Sequence, residues 1–146
     1  MTGSAACLFC RIVVGEVEAQ VVMRDAGITA FLDARPLFQG HVLVVPDAHA
    51  ATLCELPAAG VAPLFSAVQR VARAVERGLA ADGTFVAINN RVSQSVPHLH
   101  VHVVPRRRGD KLRGFFWPRE RYADDAEREA VRRAIVEALA AEGAAG

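Results

Sequence analysis

The sequence predicts an α+β domain with a mainly antiparallel five-stranded sheet, one long central helix and a C-terminal helix. Short apolar or alternating segments bounded by turn residues occur five times, as expected of strands. Two longer segments repeat apolar residues every three or four positions, as expected of helices that bury one face. The strands are clustered rather than alternating regularly with helices, which favours an antiparallel sheet.

The first three predicted strands are separated by clear turn signals. Gln20–Arg24 and Ile28–Asp33 have strand character, and Asp25-Ala26-Gly27 between them is typical of a hairpin turn. His41–Val45 is a third segment, rich in β-branched residues. Before them, the short apolar segment Cys10–Val14 predicts a brief helical turn.

The central helix and the last two strands follow. Apolar residues recur at spacings of three and four between Val61 and Leu79, which predicts a helix that ends before Asp82-Gly83. Thr84–Ile88 and His98–Val104 are the remaining strand candidates, and the polar segment Asn89–Pro97 is expected to be the loop between them.

A final helix is expected from about Asp124 to Ala141. Asp124 and Glu127 have the spacing of a capping box at its start. Its apolar seam consists of Val131, Ile135 and Leu139.

Composition limits the classes of function. The chain has 146 residues, is 52% hydrophobic and carries a formal net charge of +1. This length predicts one domain spanning residues 1–146. Balanced charge gives no reason to expect sequence-specific nucleic-acid binding, and the apolar runs are too short to span a membrane. Residues 1–7 lack a basic region and an apolar signal core, so the cytoplasm is the expected compartment.

Three of the five histidines alternate with apolar residues at positions 98, 100 and 102. In an extended strand alternate side chains share a face, which would place these rings in a row with spacings of roughly 6–7 Å. Leu99, Val101 and Val103 would then point into the core. Histidine is suited to nucleophilic, acid–base or metal chemistry at neutral pH, so the row predicts a functional site. The preceding loop adds backbone N–H groups and hydroxyls, which a phosphate needs near a nucleophile.

The segment from His98 to Val104, preceded by Gln94-Ser95-Val96-Pro97, resembles the signature of the histidine-triad (HIT) nucleotide-binding superfamily. The likeness extends upstream, so that it covers most of residues 7–106 and leaves residues 107–146 as a C-terminal loop and helix. The upstream pieces are Cys7–Glu16, Ala30–Asp33 and Gly40–Pro46.

This resemblance implies hydrolysis or transfer at the α-phosphate of a purine nucleotide or nucleotide conjugate. The substrate would be a nucleoside phosphoramidate, a dinucleoside polyphosphate or a nucleotidyl adduct, and the reaction would pass through a nucleotidyl-histidine. His100 would be the nucleophile and His102 would contact the phosphate. The phosphate cradle would be completed by Gln94, Ser95 and the Val96 amide, with Ser95 also able to protonate the leaving group.

The resemblance also assigns supporting and nucleoside-binding residues. His41 would orient a triad ring from behind, although a structural histidine at a strand end is the simpler alternative. Asp33 would bind the ribose hydroxyls, unless it is a solvated turn residue. Phe31 would flank the base or belong to the core, and Asn89 would contact sugar or phosphate.

A zinc ion is a further implication of the resemblance. Cys7 and Cys10 alone are two potential ligands, whereas structural zinc requires four. In bacterial family members, such a cysteine pair shares zinc with a histidine near position 49 and with the first triad histidine. Cys7, Cys10, His49 and His98 match this set, and two reduced, packed thiols are the alternative.

The remaining hypotheses concern partners and mechanism. Family members are often homodimers, so a homodimer is expected. The basic segment Pro105–Lys111 could attract a polyphosphate tail, and a solvated strand exit is the alternative for most of its charges. The aromatic segment Phe115–Pro118 could be a substrate lid, a dimer contact or local packing. Two other functions stay open: a nucleotide-binding regulatory or scaffold protein with little turnover, and a metallohydrolase whose catalytic zinc is held by the three triad histidines. The sequence offers no nearby carboxylate ligand for such a metallohydrolase, and that hypothesis leaves Gln94-Ser95 without a role.

Overall fold

The computed structural model describes residues 5–113 and 118–144, the side chain of Ala144 excepted. The aromatic cluster Phe115–Trp117 therefore lies outside the described residues. The elements are α1 (Leu8–Val13), β1 (Val21–Asp25), β2 (Ile28–Leu32), β3 (Val42–Pro46), a 3-10 turn (Leu53–Glu55), α2 (Ala58–Gly78), β4 (Gly83–Ala87), β5 (Val101–Arg106) and α3 (Asp125–Ala144).

The five strands form one sheet in the order β1-β2-β3-β5-β4, and every neighbouring pair is antiparallel. The predicted fold class is therefore confirmed. The first hairpin turns at Ala26 and Gly27, whose φ angles are 49° and 76°. Two successive positive φ angles are what a tight two-residue hairpin loop needs, and they match the twist of the flanking strands.

The two faces of the sheet bury different partners. In β3, Val42 and Val44 belong to the core beneath α2, whereas Leu43 and Val45 pack with α1 on the other side. This alternation follows from the period of two along a strand. The α2 core takes its buried helix residues from one stripe: Leu64, Ala67, Val68, Val71 and Val75.

The last strand begins later than the sequence predicts. The expected strand was His98–Val104, but β5 runs from Val101 to Arg106. The His98 N–H donates to the carbonyl of Val96, and the Leu99 N–H donates to that of Ala50 at 2.7 Å. These residues are therefore bonded to neighbouring loops rather than to a strand. Leu99 still points into the α2 core, as predicted.

The contacts divide the chain into two compact units, Met1–Asp110 and Lys111–Gly146. The sequence-based expectation of a single domain stays a prediction.

In the second unit, the Asp124 carboxylate accepts the Glu127 N–H at 2.8 Å, as in a capping box. The Glu127 carboxylate, however, accepts the N–H of Ala123 rather than that of Asp124. The seam at Val131, Ile135 and Leu139 is exposed. Among the described residues, no helix is both long enough and apolar enough to cross a membrane.

Leu64 tests whether the α2 core stabilises the fold as described. Its side chain is fully buried in that core. We expect Leu64→Ala to lower the free energy of unfolding by about 2–5 kcal/mol, because it removes apolar contacts and leaves a cavity. Urea unfolding followed by circular dichroism would measure this. The matched control is Leu37→Ala at a side chain that is 62% exposed, where a change below about 0.5 kcal/mol is expected. Equal losses in both variants would contradict the core assignment.

Candidate functional site

A cavity of about 610 Å³ opens on the α1 side of the sheet. Six of the residues that the sequence predicts for the site line it: Phe31, Asp33, Ser95, Val96, His100 and His102. A second cavity, of about 630 Å³, lies over the α2 side, and Arg70 is the charged residue in its lining. The α1-side cavity is the candidate site because the reactive side chains converge there.

A backbone carbonyl determines which ring nitrogen of His100 carries the proton. Its Nδ1 lies 2.7 Å from the carbonyl oxygen of His98, which can only accept a hydrogen bond. Nδ1 therefore carries the proton, and Nε2 keeps its lone pair. The ring is buried, and the edge-to-face contact with Phe9 places the two centroids 5.1 Å apart. His100 is thus held in the tautomer that leaves Nε2 as its nucleophilic nitrogen.

The tautomer of His102 follows from a chain of hydrogen bonds. The backbone N–H of Leu37 donates to His41 Nδ1 at 3.2 Å. His41 Nε2 must then carry the proton, and it donates to His102 Nδ1 at 2.9 Å. His102 in turn holds its own proton on Nε2. A neutral ring in this state can donate a hydrogen bond to a phosphate oxygen.

Burial keeps these rings neutral. Burial, together with the neighbouring His100 and His41, lowers the pKa of His102 to about 4. The pKa of His41 is also lowered by burial, against the opposing effect of the Asp33 carboxylate. Both rings are therefore uncharged at neutral pH, as the tautomer assignment requires.

The loop before the triad supplies polar groups beside the histidines. Ser95 and Val96 line the cavity. The Gln94 side chain donates to the Ala51 carbonyl at 2.6 Å and accepts the Arg91 N–H at 2.8 Å. The amide of Gln94 is therefore engaged in holding the loop, which favours the supporting role over direct phosphate contact.

The predicted nucleoside contacts divide into two groups. Phe31 is buried against Phe9, with their ring centroids 5.3 Å apart, and both line the cavity. Asp33 also lines it, with one carboxylate oxygen 3.7 Å from His41 Nδ1. Asn89, by contrast, is exposed and is not part of the cavity lining. Asn89 follows β4, which is the edge strand next to β5.

Two contributors were not identified from the sequence. Phe9 contacts both His100 and Phe31, yet nothing in the sequence distinguishes it from an ordinary apolar residue between the two cysteines. Leu37 acts through its backbone N–H, so no side-chain pattern could reveal it.

Four potential metal ligands form a separate cluster next to the cavity. The Cys7 and Cys10 sulfurs lie 3.4 and 3.5 Å from His98 Nδ1, and His49 Nδ1 lies 3.3 Å from both Cys10 Sγ and His98 Nδ1. All four ligand atoms are within 4.8 Å of one another. The structure thus brings the predicted ligand set together from α1, the segment after β3 and the segment before β5.

The donor geometry of this cluster suits a tetrahedral metal. With nitrogen at about 2.0–2.1 Å and sulfur at about 2.3 Å from zinc, tetrahedral ligand atoms lie about 3.3–3.8 Å apart. The four separations given above, from 3.3 to 3.5 Å, fall in this range. His98 Nε2 donates to the Pro46 carbonyl at 2.8 Å, which leaves the Nδ1 lone pair free to face a metal. The residues therefore fit a closed, four-coordinate structural site.

The same geometry separates the three triad rings. His98 Nδ1 faces the cysteines, whereas His100 and His102 line the cavity with their ring centroids 4.9 Å apart. The three rings do not converge on one point. This arrangement gives no support to the hypothesis of a catalytic zinc held by all three rings.

Comparison with protein families gives a match to the HIT domain over residues 14–109. An uncharacterised HIT-like protein of Mycobacterium tuberculosis (strain ATCC 25618 / H37Rv) is 41% identical over 144 residues, 95% of this chain and 96% of that protein. An adenosine 5′-monophosphoramidase of Candida albicans is 31% identical over 126 residues, covering 82% and 83% of the two chains. A bis(5′-nucleosyl)-tetraphosphatase of Schizosaccharomyces pombe is 34% identical over 96 residues, covering 64% of this chain and 53% of that protein.

Solved structures share the fold. A protein from Streptococcus mutans UA159 superposes with a TM-score of 0.85 and 34% identity, over 95% of this chain and 89% of that one. A zinc-bound histidine triad family protein from Mycobacterium smegmatis gives a TM-score of 0.72 and 39% identity, over 95% and 99% of the two chains.

The neutral state of His102 predicts how stability depends on pH. The pKa of His102 is about 4 in the folded protein, against an ordinary value of 6.5. The unfolded chain therefore takes up this proton first as the pH falls, so the contribution to stability is complete above the ordinary value and is lost toward the folded one. We expect the free energy of unfolding of wild type, relative to that of His102→Gln, to decrease between pH 7 and pH 4.5. Urea unfolding of both proteins at each pH measures the difference, and a constant difference would refute the assignment.

Proposed function

This chain belongs to the HIT domain family, and we propose that it is a hydrolase or transferase cleaving nucleotides at the α-phosphate through a covalent nucleotidyl-histidine on His100. One observation carries the proposal: the His98 carbonyl fixes the proton of His100 on Nδ1, so a neutral Nε2 is available beside the cavity. An imidazole nitrogen held in this tautomer is a competent nucleophile at neutral pH.

The reaction then proceeds in two displacements at phosphorus. His100 Nε2 attacks the α-phosphorus, the N–P bond forms, and the bond to the leaving group breaks as that group takes up a proton. The Ser95 hydroxyl is the candidate proton donor. Water next attacks the phosphorus and passes a proton back to the Ser95 oxygen. The N–P bond breaks, which releases the nucleoside monophosphate and restores the Nε2 lone pair of His100. Another acceptor in place of water would give nucleotidyl transfer.

The developing charge on the phosphoryl oxygens needs donors that are already in place. His102 Nε2–H supplies one, since its Nδ1 is occupied by the bond from His41. The backbone N–H of Val96 is a second candidate beside the cavity. Fixed dipoles of this kind stabilise a transition state without reorganising during the reaction.

The nucleoside would occupy the part of the cavity between the two phenylalanines and Asp33. Phe9 and Phe31 offer apolar rings to a purine base. Asp33 offers a carboxylate to the ribose hydroxyls, although one of its oxygens already accepts the Arg35 N–H at 2.9 Å. The relatives named for activity on a phosphoramidate and on a dinucleoside tetraphosphate support a nucleotide conjugate as substrate.

The cluster of Cys7, Cys10, His49 and His98 is the proposed zinc site. Its separations and the zinc-bound Mycobacterium smegmatis relative support this assignment. With four protein ligands, such an ion would stabilise the fold and would leave His100 free for chemistry. Homodimerisation and a cytoplasmic location stay predictions from the family resemblance.

Turnover of adenosine 5′-phosphoramidate tests the proposed reaction. We expect wild type to release AMP and His100→Ala to lose activity at least about 10³-fold, because the nucleophile is gone. Arg70→Ala is the control, since Arg70 lies on the α2 side and pairs with Asp25. Quenching with alkali during turnover of labelled substrate should trap an alkali-stable, acid-labile nucleotidyl group in wild type only. Tight AMP binding by a folded wild type that turns over neither this substrate nor a diadenosine polyphosphate would favour the regulatory function instead.

Zinc content provides a separate test. We expect one zinc ion per chain in wild type and a substoichiometric amount in Cys7→Ser, with a lower melting temperature because the link between α1 and the triad is lost. The matched control is Cys54→Ser, since Cys54 is exposed and outside the cluster. Metal analysis and thermal unfolding measure both effects. A metal-free wild type with unchanged stability in Cys7→Ser would contradict the site.

A further inference from the structure

His41 is fully enclosed and does not line the cavity, so it can act on a substrate only through His102. Its Nε2 and His102 Nδ1 share one hydrogen bond of 2.9 Å. One proton lies between two nitrogens, so whichever ring donates it determines the tautomer of both. When His41 donates this hydrogen bond, His102 carries its proton on Nε2. When His102 donates it, His102 Nε2 has only a lone pair.

The group that decides between these states sits on the other side of His41. Its Nδ1 lies 3.2 Å from the backbone N–H of Leu37 and 3.7 Å from a carboxylate oxygen of Asp33. The N–H can only donate, so it holds Nδ1 unprotonated. The ionised carboxylate can only accept, so it favours a proton on Nδ1.

We propose that the backbone N–H of Leu37 is a positioning group that fixes the tautomers of His41 and His102, so that His102 presents an N–H to the substrate phosphate. This inference rests on the proposed function and deepens it. The hydrogen bond from Leu37 is the shorter contact to His41 Nδ1, and its effect on the tautomer therefore outweighs that of Asp33. The other carboxylate oxygen of Asp33 accepts the Arg35 N–H.

The opposite tautomer would be unfavourable for binding an anion. With the proton of His41 on Nδ1 toward Asp33, His41 Nε2 would accept from His102 Nδ1. The His102 Nε2 lone pair would then face the phosphoryl oxygens. A repulsive contact would replace a donor aimed at the charge that develops in the transition state.

Proline provides a direct test, because it removes the backbone N–H while alanine retains it. Leu37 is mostly exposed, so its side chain contributes little to packing. Leu37→Ala and Leu37→Pro therefore differ chiefly in the one donor. Circular dichroism would first establish that both variants keep the native fold.

The primary measurement is the tautomer itself, observed by long-range proton–nitrogen NMR of protein labelled with ¹⁵N-histidine at pH 7.5, with peaks assigned from His41→Gln and His102→Gln. We expect His41 and His102 to be protonated on Nε2 in wild type and Leu37→Ala, and on Nδ1 in Leu37→Pro. This result does not depend on turnover, so it can fail or succeed separately from the proposed reaction. Nε2 protonation retained in folded Leu37→Pro would overturn the inference. Should Leu37→Pro not fold, the wild-type spectrum still decides, since protonation of His102 on Nδ1 would overturn it as well.

The kinetic consequence follows from the loss of one oxyanion donor. With adenosine 5′-phosphoramidate, we expect Leu37→Pro to lose about 10²-fold in kcat, with a smaller change in KM, while Leu37→Ala stays near wild type. A folded Leu37→Pro with wild-type kcat would overturn the inference.

Discussion

The whole site depends on the two nitrogens of the neutral imidazole ring, of which one carries an N–H and the other a lone pair. When the ring is buried, each nitrogen that is shielded from water needs a hydrogen-bond partner. Among the described residues, no buried side-chain nitrogen or oxygen lacks a hydrogen-bond partner. Backbone groups provide the partners that settle the proton positions here. The carbonyls of Pro46 and His98 fix two triad rings, and the Leu37 N–H fixes the third through His41.

Because each ring contacts a different backbone group, each acquires a distinct chemistry. His98 turns its lone pair to the cysteines, His100 turns its lone pair toward the cavity, and His102 turns an N–H there. Under the proposed function, three identical side chains would thus serve as a metal ligand, a nucleophile and a hydrogen-bond donor to the phosphate. Low pKa values maintain this division, since a second proton on His102 or His41 would replace a lone pair with an N–H.

The two sides of the sheet share the tasks of stability and chemistry. The α2 side buries a continuous apolar core, which holds β3 and β5 in register. The other side carries the histidines, with α1 packed over part of it. The cysteine cluster lies where α1 meets the triad, so a metal there would brace the short helix against the segment that carries His98 and His100. A six-residue helix has little stability of its own and benefits from such a link.

Local patterns in the sequence determined the elements, because strand alternation, helical spacing and turn residues act over a few neighbours. The motif also indicated six of the residues that meet in the cavity and the four of the cysteine cluster. Tertiary structure decided what depends on distant partners. Ala50 accepts the Leu99 N–H, so β5 begins later than predicted. Ala51 accepts a hydrogen bond from the Gln94 amide, and Asn89 lies outside the cavity lining. The proton positions belong to this second class as well, since they are set by backbone groups that no side-chain pattern records.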